Sequence, residues 1–407
     1  NKMRMKALFP LMVALTTIVL LGCPNPATPP TDTVINIVAI PGVTVPVCGG
    51  TPVTAITETA QYTGTVSWSP TVSGTFAAST VYTATITLTA KAGFTLTGVA
   101  ANSFTVAGAT ATNAVNSGVV TAVFPATGVA DYTSANIGTL KLVPAGRFQR
   151  DATASNISVI TKPYRMSEHE ITRAQFLAVM GADPSDVGYS SGINDPVQDT
   201  NWYHAIAFCN KLSIAEGLTP VYTVTGVDFN TLTYDDIPTM SSNTDWDAAT
   251  ANWSANGYRL PTEMEWMWAA MGAPADGQGG GTNTTGYAKA FAGSTGSNAI
   301  GDYAVYDYYG TGLGKTLTNR SNPVGSKLAN ELGLYDMSGN VWEWTWDWYY
   351  TYPTGTQTDY RGAASGENRV ARGGSWSHNA ANCAVAYRND FNPDNQGLNI
   401  GFRVVRP

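Results

Sequence analysis

Apolar and polar positions alternate along the first part of the chain. Val81-Tyr-Thr-Ala-Thr-Ile-Thr-Leu-Thr-Ala90 and Ser103-Phe-Thr-Val-Ala107 place an apolar side chain at every second residue, with Gly, Pro and Asn between such runs. A period of two belongs to strands that bury one face. Gln61 to Pro70 repeats it, with Tyr62 and Trp68 on the strand. Charges almost vanish from about residue 34 to residue 127, and this stretch is predicted to form one small all-β sandwich. Residues 128–137 read as a linker.

From residue 138 to residue 407 the periods mix, which predicts a second, α+β domain with one large core. Leu142 to Phe148 opens it as a strand and turn. Tyr164 to Met180 joins a strand to a helix capped by Thr172, and Asn201 to Leu218 has helical spacing. Thr262-Glu-Met-Glu265 fits a capping box that starts a helix running to Met271. Trp342-Glu-Trp-Thr-Trp-Asp-Trp348 alternates strictly, as a strand burying an aromatic face would. The remainder is Gly-rich and aromatic-rich loop.

The beginning of the sequence has a different character. Lys2, Arg4 and Lys6 precede an apolar run from Ala7 to Leu21 and then Gly22-Cys23. This layout is that of a secretory signal, 1–22, too short for a comfortable membrane span. Leu20-Leu-Gly-Cys23 resembles a bacterial lipobox, which implies lipidation of Cys23 and an exported lipoprotein at the outer membrane or cell surface. An ordinary cleaved signal with an incidental cysteine is the alternative. Residues 23–33, rich in proline, would then be a tether without a core of its own.

Net charge is −7, and removing the three basic residues of the leader makes it more negative. No basic stripe is left to follow phosphates, so nucleic acid is excluded as a partner. Of four cysteines, Cys48, Cys209 and Cys383 remain besides Cys23. An odd number leaves at least one thiol free or paired between chains, and Cys209 falls on a helix where burial suits it. His169 and His204 lack metal-ligand spacing and are read as structural hydrogen-bonding residues. The sequence has no Gly-x-Ser-x-Gly elbow, phosphate loop or His-Glu-x-x-His motif.

Five motifs occur in order in the second domain: Val143-Pro-Ala-Gly-Arg-Phe148, Glu168-His-Glu-Ile-Thr172, Asn256-Gly-Tyr-Arg-Leu-Pro-Thr-Glu-Met-Glu-Trp266, Gly333-Leu-Tyr-Asp-Met-Ser-Gly-Asn-Val-Trp-Glu-Trp344, and Arg372-Gly-Gly-Ser-Trp376 with Gly401-Phe-Arg403. Together they resemble the formylglycine-generating enzyme (sulfatase-modifying factor) family. The resemblance implies a C-type lectin-like fold with little regular secondary structure. The first domain resembles, in pattern alone, the immunoglobulin-like modules of bacterial surface proteins, and is expected to act as a spacer.

The resemblance also makes the catalytic question specific. Enzymes of the family hold copper(I) with two thiolates, and the matching positions here are His378 and Cys383. One thiolate is missing, and the spacing from Cys383 to Arg388 is shorter than in the enzymes. No copper is expected, no catalytic residue is assigned, and Cys383 is read as a packing thiol. An oxidase remains the alternative function, with a structural or accessory surface protein as a third. Around the Gly-Asn-Val-Trp-Glu turn, the resemblance implies a structural calcium held by Asp336 and Glu343 side chains and the carbonyls of Gly339 and Val341. Glu343 capping backbone amides is the competing reading.

One branch of this fold comprises retroelement-diversified variable proteins, of the treponemal variable-protein type, in which adenine-directed mutagenesis rewrites the C-terminal segment. Such rewriting of Asn codons never yields Lys, Glu, Met or Trp. Ser377 to Asn399 contains none of these four and keeps Asn at 379, 382, 389, 392, 395 and 399. Gln396 needs another template codon. This reading places a variable region at about 372–407. Its candidate ligand-facing positions are Ser377, His378, Asn379, Ala381, Asn382, Tyr387, Asp390, Phe391, Asn392, Gly397, Leu398 and Asn399. Tyr387 and Phe391 would serve as aromatic anchors among adaptable polar neighbours. The expected function is a surface-anchored, non-catalytic binding protein for a protein or glycan ligand.

Overall fold

The computed structural model describes residues 32–407 except 49, 78–79, 128–129 and 277–280. The expected signal peptide, the lipidation residue Cys23 and most of the tether lie outside the described residues. The chain divides into two compact units, meeting at Gly128 and Val129.

In the first unit the alternating runs become the strands Tyr62–Ser69, Val81–Ala90, Val119–Ala126 and Thr110–Asn113, neighbours in that order in one four-stranded antiparallel sheet. Tyr82, Ala84, Ile86 and Leu88 face the core, while Val81, Val119 and Val123 on the other face are exposed. The covering layer is irregular extended chain: Ile35, Ile40, Val43, Val99, Phe104 and Val106 close the core. Its paired strands are the two-residue Thr33–Val34 and Phe94–Thr95. Pro41, Pro46 and Pro52 lack the N–H that a ladder needs, which keeps the leading part of this layer from becoming a regular sheet.

The second unit claims part of the expected linker. Tyr132–Ser134 pairs with Gly138–Val143, which pairs with Tyr164–Ser167, which pairs with Val405–Arg406 near the end of the chain. The Asp131 carboxylate accepts the Leu142 N–H at 2.8 Å and so ties the supposed linker down.

Three helices start at side-chain caps, two of them expected from the sequence. Thr172 caps Arg173–Met180 with Gln175 in a capping box, Asn201 caps Trp202–Ala215, and Thr262 with Glu265 caps Glu263–Ala270. Two cores result, one around Trp202–Ala215 with Trp342, Trp344 and Phe402, the other around Glu263–Ala270 with Phe148 and Met166.

His204 completes the cap of its own helix. Its Nδ1 accepts the Asn201 N–H at 3.2 Å, so the proton sits on Nε2, and the ring stacks on Tyr234 at 4.8 Å. Burial pushes its pKa down to about 4. The unfolded chain therefore binds a proton that the folded one refuses. Stability from the neutral ring is complete above about pH 6.5 and is lost as the pH falls towards 4, by about 3 kcal/mol in all. His204→Gln keeps a capping acceptor and should flatten the acid limb of a plot of Tm against pH.

The sheet beneath the C-terminal loop has the order Asn389–Phe391, Arg369–Arg372, Trp342–Trp348, Ile400–Gly401. Trp342–Trp348 differs from the one-faced strand its alternation suggests. Trp342 and Trp344 are buried, but so are Glu343, Thr345 and Asp347. Each polar residue has a buried partner: Arg403 for Glu343, the Val370 carbonyl for Thr345, the Glu263 N–H for Asp347. Alternation marks chemistry here, not exposure, because the strand is central and both faces are covered.

Candidate ligand-binding surface

The loop from Ser375 to Asn399 is held by its backbone. The Trp376 N–H donates to Asn340 O at 2.8 Å, Trp202 N–H to Pro393 O at 2.9 Å, Asp199 N–H to Gly397 O at 2.9 Å and Trp342 N–H to Asn399 O at 2.7 Å. On the other flank the His378 carbonyl accepts from Asp307 N at 2.8 Å, and Val385 N–H donates to Lys289 O at 3.1 Å. Cys383, Val385 and Pro393 point inward and are buried. Gly374 closes the approach: its φ is +79°, and a Cβ there would meet the Cys383 Sγ at 2.8 Å.

The side chains chosen from the sequence go the other way. Asn379, Ala381, Tyr387 and Asn392 are exposed, and Ser377, His378, Asn382, Asp390, Phe391, Gly397, Leu398 and Asn399 are half-buried. Three of them surround Trp342, whose ring lies 5.3 Å from His378, 6.0 Å from Tyr387 and 6.4 Å from Phe391. Phe391 is the most committed to the framework, edge-on to Trp344 at 5.8 Å. His378 Nδ1 accepts from Trp342 Nε1 at 3.2 Å and lies 2.7 Å from Ser375 Oγ, and burial lowers its pKa, so the ring is neutral. Asn399 Nδ2 donates to Ser377 Oγ at 3.0 Å and Ser375 Oγ at 3.2 Å. Asn379 spends its oxygen on capping the turn Ala380–Cys383.

Cys383 packs against Ala304 and Tyr306, and burial raises its thiol to about 12. A thiol so held stays protonated at neutral pH and is a poor metal ligand or nucleophile. Among the described residues no group of three or more His, Cys, Asp or Glu side chains is arranged to hold a metal ion.

The turn below the loop is built on Gly339 and Asn340, both at positive φ. A Cβ at Gly339 would meet the Val305 carbonyl at 2.4 Å. The residues assigned to calcium by resemblance sit here, but their oxygens are largely spent. Glu343 takes Arg403 on both oxygens, at 2.6 and 2.7 Å, and Trp266 Nε1 at 2.6 Å. Asp336 accepts the Gly325 N–H at 2.7 Å through Oδ2, and its Oδ1 is buried without a hydrogen-bond partner. Burial pushes the Asp336 carboxyl up to about 6. Glu170 adds a third carboxyl, receiving Val341 N–H at 3.0 Å and Asn340 Nδ2 at 2.7 Å. Its pKa is raised well above the usual range, first by burial and then by Asp336 and Glu343. Arg403 is the countercharge to Glu343 in this arrangement, and Asp336 Oδ1 stays without a partner among the described residues. Glu343 thus binds side-chain donors rather than capping backbone amides.

Two features of the surface escape the sequence reading. Tyr189, Tyr308 and Tyr309 ring Trp376 at 6.0, 6.3 and 6.2 Å. The dense run Tyr306-Asp-Tyr-Tyr309 is the signal that would have found the latter two. The second is Glu263, which binds Arg388 through Nε at 2.6 Å and Nη2 at 2.8 Å, with Arg372 Nε at 3.3 Å. Arg372 in turn donates to the Tyr387 carbonyl. Nothing local in the sequence joins residue 263 to residue 388.

Comparison with known proteins agrees with this geometry. The model of the sulfatase-modifying factor enzyme 1-like domain matches residues 128–407. Variable protein 1 of Treponema denticola is 37% identical, with a TM-score of 0.58 covering 68% of this chain and 99% of that one. A protein of Paenibacillus barcinonensis named chaperone protein LppX is 34% identical over 280 residues, 66% of this chain and 89% of that protein. The formylglycine-generating enzyme of Bos taurus is 28% identical over 218 residues, spanning 52% of this chain and half of the enzyme. The chain belongs to the sulfatase-modifying factor enzyme 1-like family and resembles its variable-protein branch in sequence and in fold.

Proposed function

We propose that the second unit is a non-catalytic ligand-binding module. Its ligand-facing surface is the C-terminal loop, and its ligand is a protein or glycan met outside the cell. The observation that carries this reading is the separation of roles along Ser375 to Asn399. The backbone is hydrogen-bonded to distant framework elements, while none of the candidate side chains is buried. Such a scaffold lets contact residues change without disturbing the core. The similarity to a protein named as variable supports diversification of this loop, and the similarity to one named as a chaperone supports a binding role. The relative named as a formylglycine-generating enzyme argues for catalysis, but His378 in place of a thiolate and a protonated, buried Cys383 argue against it here. The first unit is an immunoglobulin-like spacer in this reading, and Cys23 carries the lipid that tethers the protein at the surface.

Substitution scanning tests the separation of roles. Ala381, Tyr387 and Asn392 should accept Ser or Asp with stability changes within about 0.5 kcal/mol. Val385→Ser should cost about 2 kcal/mol or more, from lost burial and an added hydroxyl. Equal sensitivity at both groups would sink the proposal. Sequencing the surrounding locus tests diversification itself: absence of both a reverse transcriptase and an adenine-differing template repeat removes that part of the reading.

A further inference from the structure

Arg369, like Arg150, which donates to the carbonyls of Ile157, Pro353 and Gly355, differs from the other buried arginines of the second unit. Arg259, Arg372 and Arg403 each meet a glutamate, Glu265, Glu263 and Glu343 respectively. Arg369 is equally buried, at 1% exposure, yet among the described residues it has no carboxylate within ion-pair distance. Its guanidinium lies between the rings of Trp202 and Trp348, 3.7 and 3.4 Å from their centroids. Nη1 and Nη2 donate to the carbonyls of Trp346 at 2.7 Å and Asp247 at 3.2 Å, while Nε has no hydrogen-bond partner. Burial pushes its pKa down to about 9. A buried cation in this state is undercompensated, and a negative group beside it would be stabilising.

Arg369 lines a cleft of about 660 Å³. Arg361, exposed and 4.3 Å from the Trp253 ring centroid, supplies a second cation on the same cleft. Asp247 is the single acid among the lining residues, and its Oδ1 receives the Tyr203 hydroxyl at 2.6 Å. Thr244, Thr250 and Ser365 add hydroxyls. The lining thus carries two arginines and one carboxylate, with Asp347 the next acid acting on Arg369.

We propose that this cleft binds a small carboxylate-bearing polyol of the acidic-sugar class. The carboxylate meets Arg361 and Arg369, and the sugar hydroxyls meet the Thr, Ser and peptide groups of the walls. Charge-assisted bonds to a planar guanidinium give the recognition its strength and direction. The site does not include the C-terminal loop, so its fate is separate from that of the function proposed above.

The experiment is a titration of the full chain with glucuronate and with glucose, followed by tryptophan fluorescence, since Trp346 and Trp348 line the cleft. Glucuronate should give a saturable change and glucose none. Arg361→Ala, at an exposed position, should weaken glucuronate by at least about tenfold. Ala364→Phe, which fills the cleft, should abolish the response with Tm unchanged. No saturable change with glucuronate, an equal response to glucose, or unaltered affinity in Arg361→Ala would overturn the proposal.

Discussion

Replacing Glu343 by Gln is expected to destabilise the second unit by about 3 kcal/mol, the low end of the cost of breaking a buried ion pair. Arg403 is fully buried, and it holds Glu343 through two hydrogen bonds of 2.6 and 2.7 Å. Glutamine keeps the shape and the contact with Trp266 but removes the charge. The guanidinium then keeps a neutral amide oxygen at Nε and the carbonyls of Ser167 and Tyr335, at 3.2 and 2.8 Å, while its Nη2 faces the amide NH2 in place of a carboxylate oxygen. The loss sits at the low end because Glu170 and Asp336 lie close to Arg403, their carboxyls raised by burial and in part by the charge of Glu343. Without that charge they ionise more readily and take over some of the compensation. Denaturant titration followed by tryptophan fluorescence reports this unit, since every tryptophan but Trp68 lies in it. The loss should be the same in EDTA and in millimolar calcium, because Arg403 supplies the countercharge. A loss that appears only when calcium is present would instead assign Glu343 to the ion.

Much of the framework was legible because its determinants are local. Thr172 and Thr262 announce their helices within four residues of sequence, and the structure places a cap at each, while the helix read from spacing alone starts at an Asn201 cap. The alternation of Val81 to Ala90 likewise declares one buried face. The strand Trp342–Trp348 shows where such reasoning stops. Its period is plain, but whether its polar face meets water depends on Arg403 and Glu263, which are remote in sequence. The candidate surface divides in the same way. The inward turn of Cys383 and Val385 and the outward turn of Tyr387 and Asn392 follow from backbone bonds to Lys289, Asn340 and Asp307 that no spacing within the loop reveals. Even the linker was misjudged for this reason, since Tyr132 becomes a strand only by pairing with Leu140.

Glu263→Gln should produce a loss of about 3–5 kcal/mol, with its effect concentrated at the loop. Among the described residues Glu263 is the one carboxylate serving two guanidiniums, Arg388 through a two-pronged contact and Arg372 at 3.3 Å, and it also accepts the Tyr352 hydroxyl at 2.9 Å. Its own position is fixed by the helix it opens, where its N–H meets Asp347 Oδ2 at 2.7 Å. The carboxylate thus transmits the rigidity of that helix to the base of the loop, through Arg388 within it and Arg372 at its edge. With glutamine, two buried or half-buried cations lose their partner, and the hold of Arg372 on the Tyr387 carbonyl weakens with them. Hydrogen exchange should therefore quicken at Tyr387 and Asn389 while amides of the helix Trp202–Ala215 keep their protection relative to global unfolding. The double variant Glu263→Gln with Arg388→Met, which removes one orphaned cation and keeps the aliphatic stem, should recover part of the stability. Uniform acceleration across both regions would mean that Glu263 supports only the core. Selective loosening would identify it as the residue that keeps a changeable surface on an unchanging scaffold.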